Sequence, residues 1–178
     1  MTAAFLNNFG GDNVRFLARS FENPGDHYGQ QSNGYRWPYG SVAIIAPFNF
    51  PLEIPILQLM GALYMGNQPV LKPAEKTSLV MEQFIRLLHH CGMPLDDVDL
   101  LNSTGPIAEH LLQTANVRLT QFTGSSRVAE HLSRVTSSKV KIEDASFDWK
   151  ILGPDVSDVD YSSILCTGSE LRKVKCKK

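Results

Sequence analysis

Residues 41–72 read SVAIIAPFNFPLEIPILQLMGALYMGNQPVLK. Val42 to Ala46 is a short, β-branched run bounded by Gly40 and Pro47, the composition of a buried strand. Pro51 then suits a first helical turn, and Ile54, Leu57, Met60, Leu63 and Tyr64 recur at helical spacing until Gly66. Pro69 to Leu71 follows as a second short strand that ends at Lys72. A strand, a helix and another strand in so short a stretch make one βαβ unit, which commits the chain to parallel pairing.

The same alternation continues downstream. Thr77 or Ser78 can cap a helix whose apolar face includes Met81, Phe84, Leu88 and Cys91, with Gly92 and Pro94 as stop signals. Val98 to Leu101 reads as a strand, and Pro106 to Ala115 as a helix with Ile107 and Leu111 on one side. Val117 to Phe122 is the next strand; an amphipathic helix runs from Ser125 to about Arg134, and Val140 to Ile142 closes the series. The pattern predicts an α/β fold, a doubly wound and mainly parallel sheet with helices on both faces. Upstream, Asn23 to Gly40 is dense in Gly, Asn, Gln, Tyr and Pro and reads as a long connection. Three segments result: a connecting segment over 1–40, the sheet domain over 41–161, and a divergent tail over 162–178. The tail carries Arg172, Lys173, Lys175, Lys177 and Lys178 and is expected to be solvated and disordered.

With 178 residues, 43% hydrophobic and 20% charged, the chain has the composition of a globular domain. A formal net charge of −1 gives no electrostatic reason to expect nucleic acid or a membrane surface as a partner. The longest apolar candidate, Pro51 to Met65, is broken by Glu53, Pro55 and Gln58 before it reaches spanning length. Cys91, Cys166 and Cys176 form neither a C-x-x-C pair nor a metal-ligand spacing, which points to a reducing compartment. Met1 to Arg15 has neither a basic leader nor an Arg-rich, acid-poor character, so no targeting segment is expected here.

In a doubly wound sheet, ligands gather beyond the C-terminal ends of the strands. Those ends are 47–50, 72–75, 103–105, 123–125 and 143–146. Lys72 and Glu75 offer hydrogen bonds to a ribose, and the backbone N–H groups after Gly124 open a helix that can face a pyrophosphate. Capped, solvated strand ends are the alternative reading. The chain has neither G-x-G-x-x-G nor G-x-x-x-x-G-K-[ST].

The segment Ala46-Pro47-Phe48-Asn49-Phe50-Pro51 resembles the P-W-N-F-P signature of the aldehyde dehydrogenases. Gly66-Asn67 followed by Lys72-Pro73-Ala74-Glu75 resembles that family's G-N-x-x-x-x-K-P-x-E, and Phe122-Thr123-Gly124-Ser125 its F-T-G-S. Order and spacing agree, from about Phe5 to Tyr161, and the wording around Arg36 to Gly40 and Gln58 to Asn67 looks closest to plant-type pyrroline-5-carboxylate dehydrogenases. The resemblance implies that 41–161 is part of an NAD-binding domain. It implies that Asn49 donates its side-chain amide to the oxyanion formed when a thiolate attacks an aldehyde. Lys72 and Glu75 would bind the adenine-side ribose, Ser125 and the amides after Gly124 the pyrophosphate, with Phe48 completing the cofactor-binding set. Glu143 falls at the general base of the family's L-E-x-G-G segment and would activate water for thioester hydrolysis. The implied cofactor is NAD, with NADP left open. The implied substrate is glutamate semialdehyde, in equilibrium with pyrroline-5-carboxylate. Full-length relatives would be homo-oligomeric and mitochondrial.

Two departures qualify this. Glu143 is followed by Asp144, Ala145 and Ser146, so neither glycine of the family pair is present. The family nucleophile lies in a G-Q-x-C context that the chain lacks: Cys166 comes too early, and Cys176 sits between Lys175 and Lys177, two residues from the end. The expectation is an inactive chain, lacking about a hundred family residues before Met1 and the catalytic segment after Tyr161, with a catalytically dead nucleotide- or partner-binding module as the alternative.

Overall fold

The computed structural model describes residues 1–11 and 21–145, within which Met1–Asp144 form one compact unit. Ser146, Cys166, Cys176 and the basic tail lie outside the described residues. The chain opens with helix α1 (Thr2–Asn8) and an antiparallel hairpin of β1 (Phe21–Pro24) and β2 (Gln31–Gly34). The hairpin was not legible in the polar connecting segment. Its strands carry almost no alternation, and backbone bonds shape the turn: the Gly25 amide donates to the Gln30 carbonyl at 2.8 Å.

From Ser41 the alternation holds. β3 (Ser41–Ile45), α2 (Glu53–Tyr64), β4 (Gln68–Lys72), α3 (Ser78–His90), β5 (Asp99–Leu100), α4 (Gly105–Thr114), β6 (Leu119–Gly124), α5 (Ser126–Val135) and β7 (Val140–Asp144) succeed one another. The five strands from β3 onward pair in parallel in the order β5-β4-β3-β6-β7. Counted from β3, this is the strand order of the doubly wound dinucleotide folds, with the switch point between β3 and β6.

Period-two alternation sorts the strand residues between two helical layers. Ile44 and Leu71, opposite one another, pack with Ile56 and Leu59 of α2 and Met81 and Ile85 of α3. Ala43 and Phe122 point the other way and pack with Leu112 of α4 and Ala129 and Leu132 of α5. α1 adds Leu6 to the first layer, and Phe9 just beyond it stacks on Tyr64 with ring centroids 5.6 Å apart.

The helices exist as expected but present different residues. In α2 the buried positions are Pro55, Ile56 and Leu59, whereas Leu57 and Tyr64 are exposed. The helix is apolar nearly all round, so spacing alone does not choose the face. In α4, Ala108 and Leu112 are buried and Ile107 is exposed. Cys91 falls just past the end of α3 and is exposed too.

Candidate functional site

The expected ligand end is the C-terminal edge of the sheet, and the register fixes what meets there. Lys72, Ile45, Phe122 and Ile142 form one row across β4, β3, β6 and β7, and Thr123 opposite Glu143 starts the next. Both of these last residues, with Gly124, lie inside strands that end two residues later than the sequence suggested. Alternation puts Lys72 on the α4/α5 side and Thr123 and Glu143 on the α2 side. Lys72 and Thr123 are two strand spacings and one row apart, about 10 Å across the sheet.

Lys72 is half-buried and its Nζ donates to the Pro73 carbonyl at 3.1 Å. Desolvation pushes its pKa below the ordinary lysine value, and the nearby Glu75 carboxylate opposes that shift in part. Glu75 itself is exposed and opens a 3-10 turn, so a carboxylate and an ammonium sit together where a polyhydroxyl ring could receive both. Phe48 is 64% exposed, with Lys76 Nζ 5.9 Å from its ring centroid. Asn49 is exposed on the bend after β3.

Ser125 is the N-cap of α5, in extended conformation, and its carbonyl accepts from the amides of Val128 and Ala129. Its hydroxyl caps nothing, and the first amides of the helix have no intrahelical acceptor, which leaves donors for an anion. Gly124 has a reason of its own: a Cβ there would lie 2.6 Å from Phe122 Cζ. The glycine is thus required by the packing of Phe122, whatever approaches from outside.

Gly66 and Asn67 separate from the rest of their motif. Gly66 closes α2 in the left-handed region at φ 74°, and Asn67 lies at the opposite end of β4 from Lys72. There the buried Asn67 Oδ1 accepts from the amides of Tyr39 and Gly40, and its Nδ2 donates to the Ala62 carbonyl. One half of the motif clips the incoming chain to the fold, and the other half lies at the C-terminal edge of the sheet.

Sequence reasoning missed Gln58, which donates from Nε2 to Thr123 Oγ1 at 2.9 Å; the Thr123 hydroxyl in turn donates to Glu143 Oε2 at 3.3 Å. The available signal was an amide in the middle of an apolar helix that must meet the sheet. Among the described residues no group of three metal-ligating side chains converges, and no helix is long and apolar enough to cross a membrane.

Residues 5–146 match the model of the aldehyde dehydrogenase family. The chain belongs to that family. It is 63% identical over 166 residues to the mitochondrial delta-1-pyrroline-5-carboxylate dehydrogenase 12A1 of Arabidopsis thaliana, covering 93% of this chain and 30% of that protein. Among solved structures, PnpE from Pseudomonas sp. WBC-3 superposes with a TM-score of 0.73 at 29% identity, over 80% of this chain and 30% of that one. The proline utilization A protein of Bradyrhizobium japonicum gives 0.66 at 30% identity, over 74% and 14%. This chain therefore spans about a third of the curated aldehyde dehydrogenase it matches. The family and fold generally use NAD(P), and its members oxidise aldehydes.

Proposed function

We propose that this chain is part of the cofactor-binding half of a dehydrogenase that oxidises glutamate semialdehyde to glutamate and reduces NAD. The observation that carries the substrate is the 63% identity to a pyrroline-5-carboxylate dehydrogenase over 93% of the chain. A mitochondrial setting follows from the same relative.

The residues fit such a cofactor. Lys72 and Glu75 would hold ribose hydroxyls on the α4/α5 side, Ser125 and the first amides of α5 a pyrophosphate, and the exposed face of Phe48 an apolar part of the molecule. Because Lys72 and Glu143 lie on opposite faces of one sheet edge, the dinucleotide would cross that edge. When bound, NAD supplies the hydride acceptor. Asn49, exposed on its bend, would donate to a developing oxyanion, and Glu143 would take a proton from water. Neither can replace a thiolate. Cys91, at the far end of α3, lies by topology at the opposite edge of the sheet. The chain alone is accordingly proposed to be inactive.

The test is NADH formation with pyrroline-5-carboxylate, alongside NAD binding by calorimetry, for the wild type, Lys72→Ala and Cys176→Ser. No turnover is expected, with NAD affinity weakened about tenfold by Lys72→Ala through the lost charge-assisted hydrogen bond. Robust turnover abolished by Cys176→Ser would overturn the inactive reading. Binding indifferent to Lys72→Ala would overturn the ribose assignment.

A further inference from the structure

β7 is the last strand of its sheet, and among the described residues nothing pairs with its second side. The opposite edge, β5, is only two residues long, whereas β7 runs for five: Val140, Lys141, Ile142, Glu143 and Asp144. The register with β6 fixes which backbone groups are left over. The Thr120 amide donates to the Lys139 carbonyl at 2.9 Å and Thr120 stands opposite Val140, so the amides and carbonyls of Lys141 and Glu143 also turn to β6. Those of Val140, Ile142 and Asp144 turn outward, to the side where no strand lies among the described residues.

Side chains follow the other alternation. Lys141 and Glu143 are exposed on the α2 side, and Ile142, 45% exposed, lies with Asp144 in a groove of about 440 Å3 against α5. A lone lysine usually guards an open edge against a further strand. Here a carboxylate follows the lysine two residues later on the same face, which changes what the edge rejects.

A second copy of β7 can be laid against this edge antiparallel. Outward-facing residues must then meet outward-facing residues, so the long registers centre on Lys141, Ile142 or Glu143. Centring on Lys141 sets lysine against lysine, and centring on Glu143 sets carboxylate against carboxylate. Centring on Ile142 sets Lys141 against the partner's Glu143 on one face and Ile142 against the partner's Ile142 on the other. This register also uses all five residues, with Val140 and the partner's Asp144 exchanging the outer hydrogen bonds. Lys141 and the partner's Glu143 form non-hydrogen-bonded pairs, the kind whose side chains come closest.

We propose that the β7 edge is a self-complementary docking surface for a second copy of this chain, joined antiparallel about a two-fold axis between the two Ile142 residues. The paired isoleucines then floor one continuous groove between the two α5 helices, and the two-fold closes the assembly at a dimer. So short a contact belongs with weak interfaces, for which a dissociation constant on the order of 10 μM is expected.

The test is sedimentation equilibrium on the full chain from about 1 to 300 μM, with amide hydrogen exchange at both ends of that range. The wild type should pass from monomer to dimer. Exchange at Ile142 and Asp144 should slow with concentration, while that at Lys141 and Glu143 does not change. Lys141→Glu or Glu143→Lys alone should weaken the dimer at least about tenfold by placing like charges opposite, and the double variant carrying both should recover it. Recovery is specific to this register, because the other two keep like charges opposite in the wild type and the double variant alike. Ile142→Asp should leave a monomer. A wild type monomeric throughout, or a dimer indifferent to the single reversals, would overturn the proposal. So would Ile142 and Asp144 amides protected at every concentration, the sign of an edge covered by residues 146–178 of the same chain.

Discussion

The two helical layers of this sheet are built to different standards. On the α2/α3 side, Ile44, Leu59, Leu71 and Met81 are completely buried, with a ring of partly buried side chains around them. On the α4/α5 side the core is smaller, includes Ala43 and Ala129, and leaves an open groove of about 440 Å3 between α5 and β7, where Ile142 is 45% exposed. The strands differ likewise: β4 buries alternate residues between two neighbours, whereas β7 pairs only with β6 among the described residues and keeps little covered. The β3–β4 half of the sheet is thus the better packed, and the β6–β7 half, which ends in Thr123, Ser125 and Glu143, rests on less support and is expected to open more readily.

The contrast can be broken most directly in the cores. Leu71→Ala should cost about 4 kcal/mol in denaturant unfolding, and Leu132→Ala about 2–3 kcal/mol, because the thinner layer can relax into the void. Equal losses would remove the contrast. Gly124→Ala should cost about 2 kcal/mol by driving a methyl into the Phe122 ring, and Phe122→Leu in the same chain should recover part of it. If Phe122→Leu gives no recovery, the glycine serves something other than this packing.

The turn between α5 and β7 holds Ser137 and Ser138 with φ of 51° and 65°. Left-handed backbone disfavours side chains, so Ser138→Gly should stabilise the weaker half by about 0.5–1 kcal/mol, read as a shifted melting midpoint. A destabilised variant would show that Ser138 is not strained.

The smallest effect concerns Lys72. Its folded pKa lies below its unfolded one, so between the two values the unfolded chain binds more protons and stability rises with pH. The penalty is present at neutral pH and disappears as pH passes the ordinary lysine value of 10.5. Lys72→Met should therefore be slightly more stable than the wild type at pH 7 and lose this alkaline rise. An unchanged slope would mean the ammonium is fully hydrated.

Elements with strong periodicity were legible in the sequence, and what escaped has a physical pattern. The β1–β2 hairpin escaped because Gln31 to Gly34 carries no buried alternation to announce a strand. The face of α2 escaped because Leu57 is as apolar as Leu59, and only the sheet decides which one is covered. Motif order located Lys72 and Ser125, since both follow directly from a strand end. The Gln58 contact spans 65 residues and depends on β6 inserting beside β3, a long-range pairing that no local pattern encodes. Thr123 and Gly124 read as loop because the glycine masked the last ladder positions of β6.

Asn67 and Lys72 stand at the two ends of one short strand, the first clipping Tyr39 and Gly40, the second at the C-terminal edge of the sheet. The distance between them therefore acts as a ruler. Substitutions at Gln68 and Val70 can be tolerated one at a time, but losing or gaining a single residue between Gln68 and Leu71 would rotate Leu71 out of the core and carry Lys72 to the other face. Sequences that share this architecture should thus vary in the identity of the uncovered residues of this strand, keep its buried positions apolar, and vary hardly at all in the number of residues between the two ends.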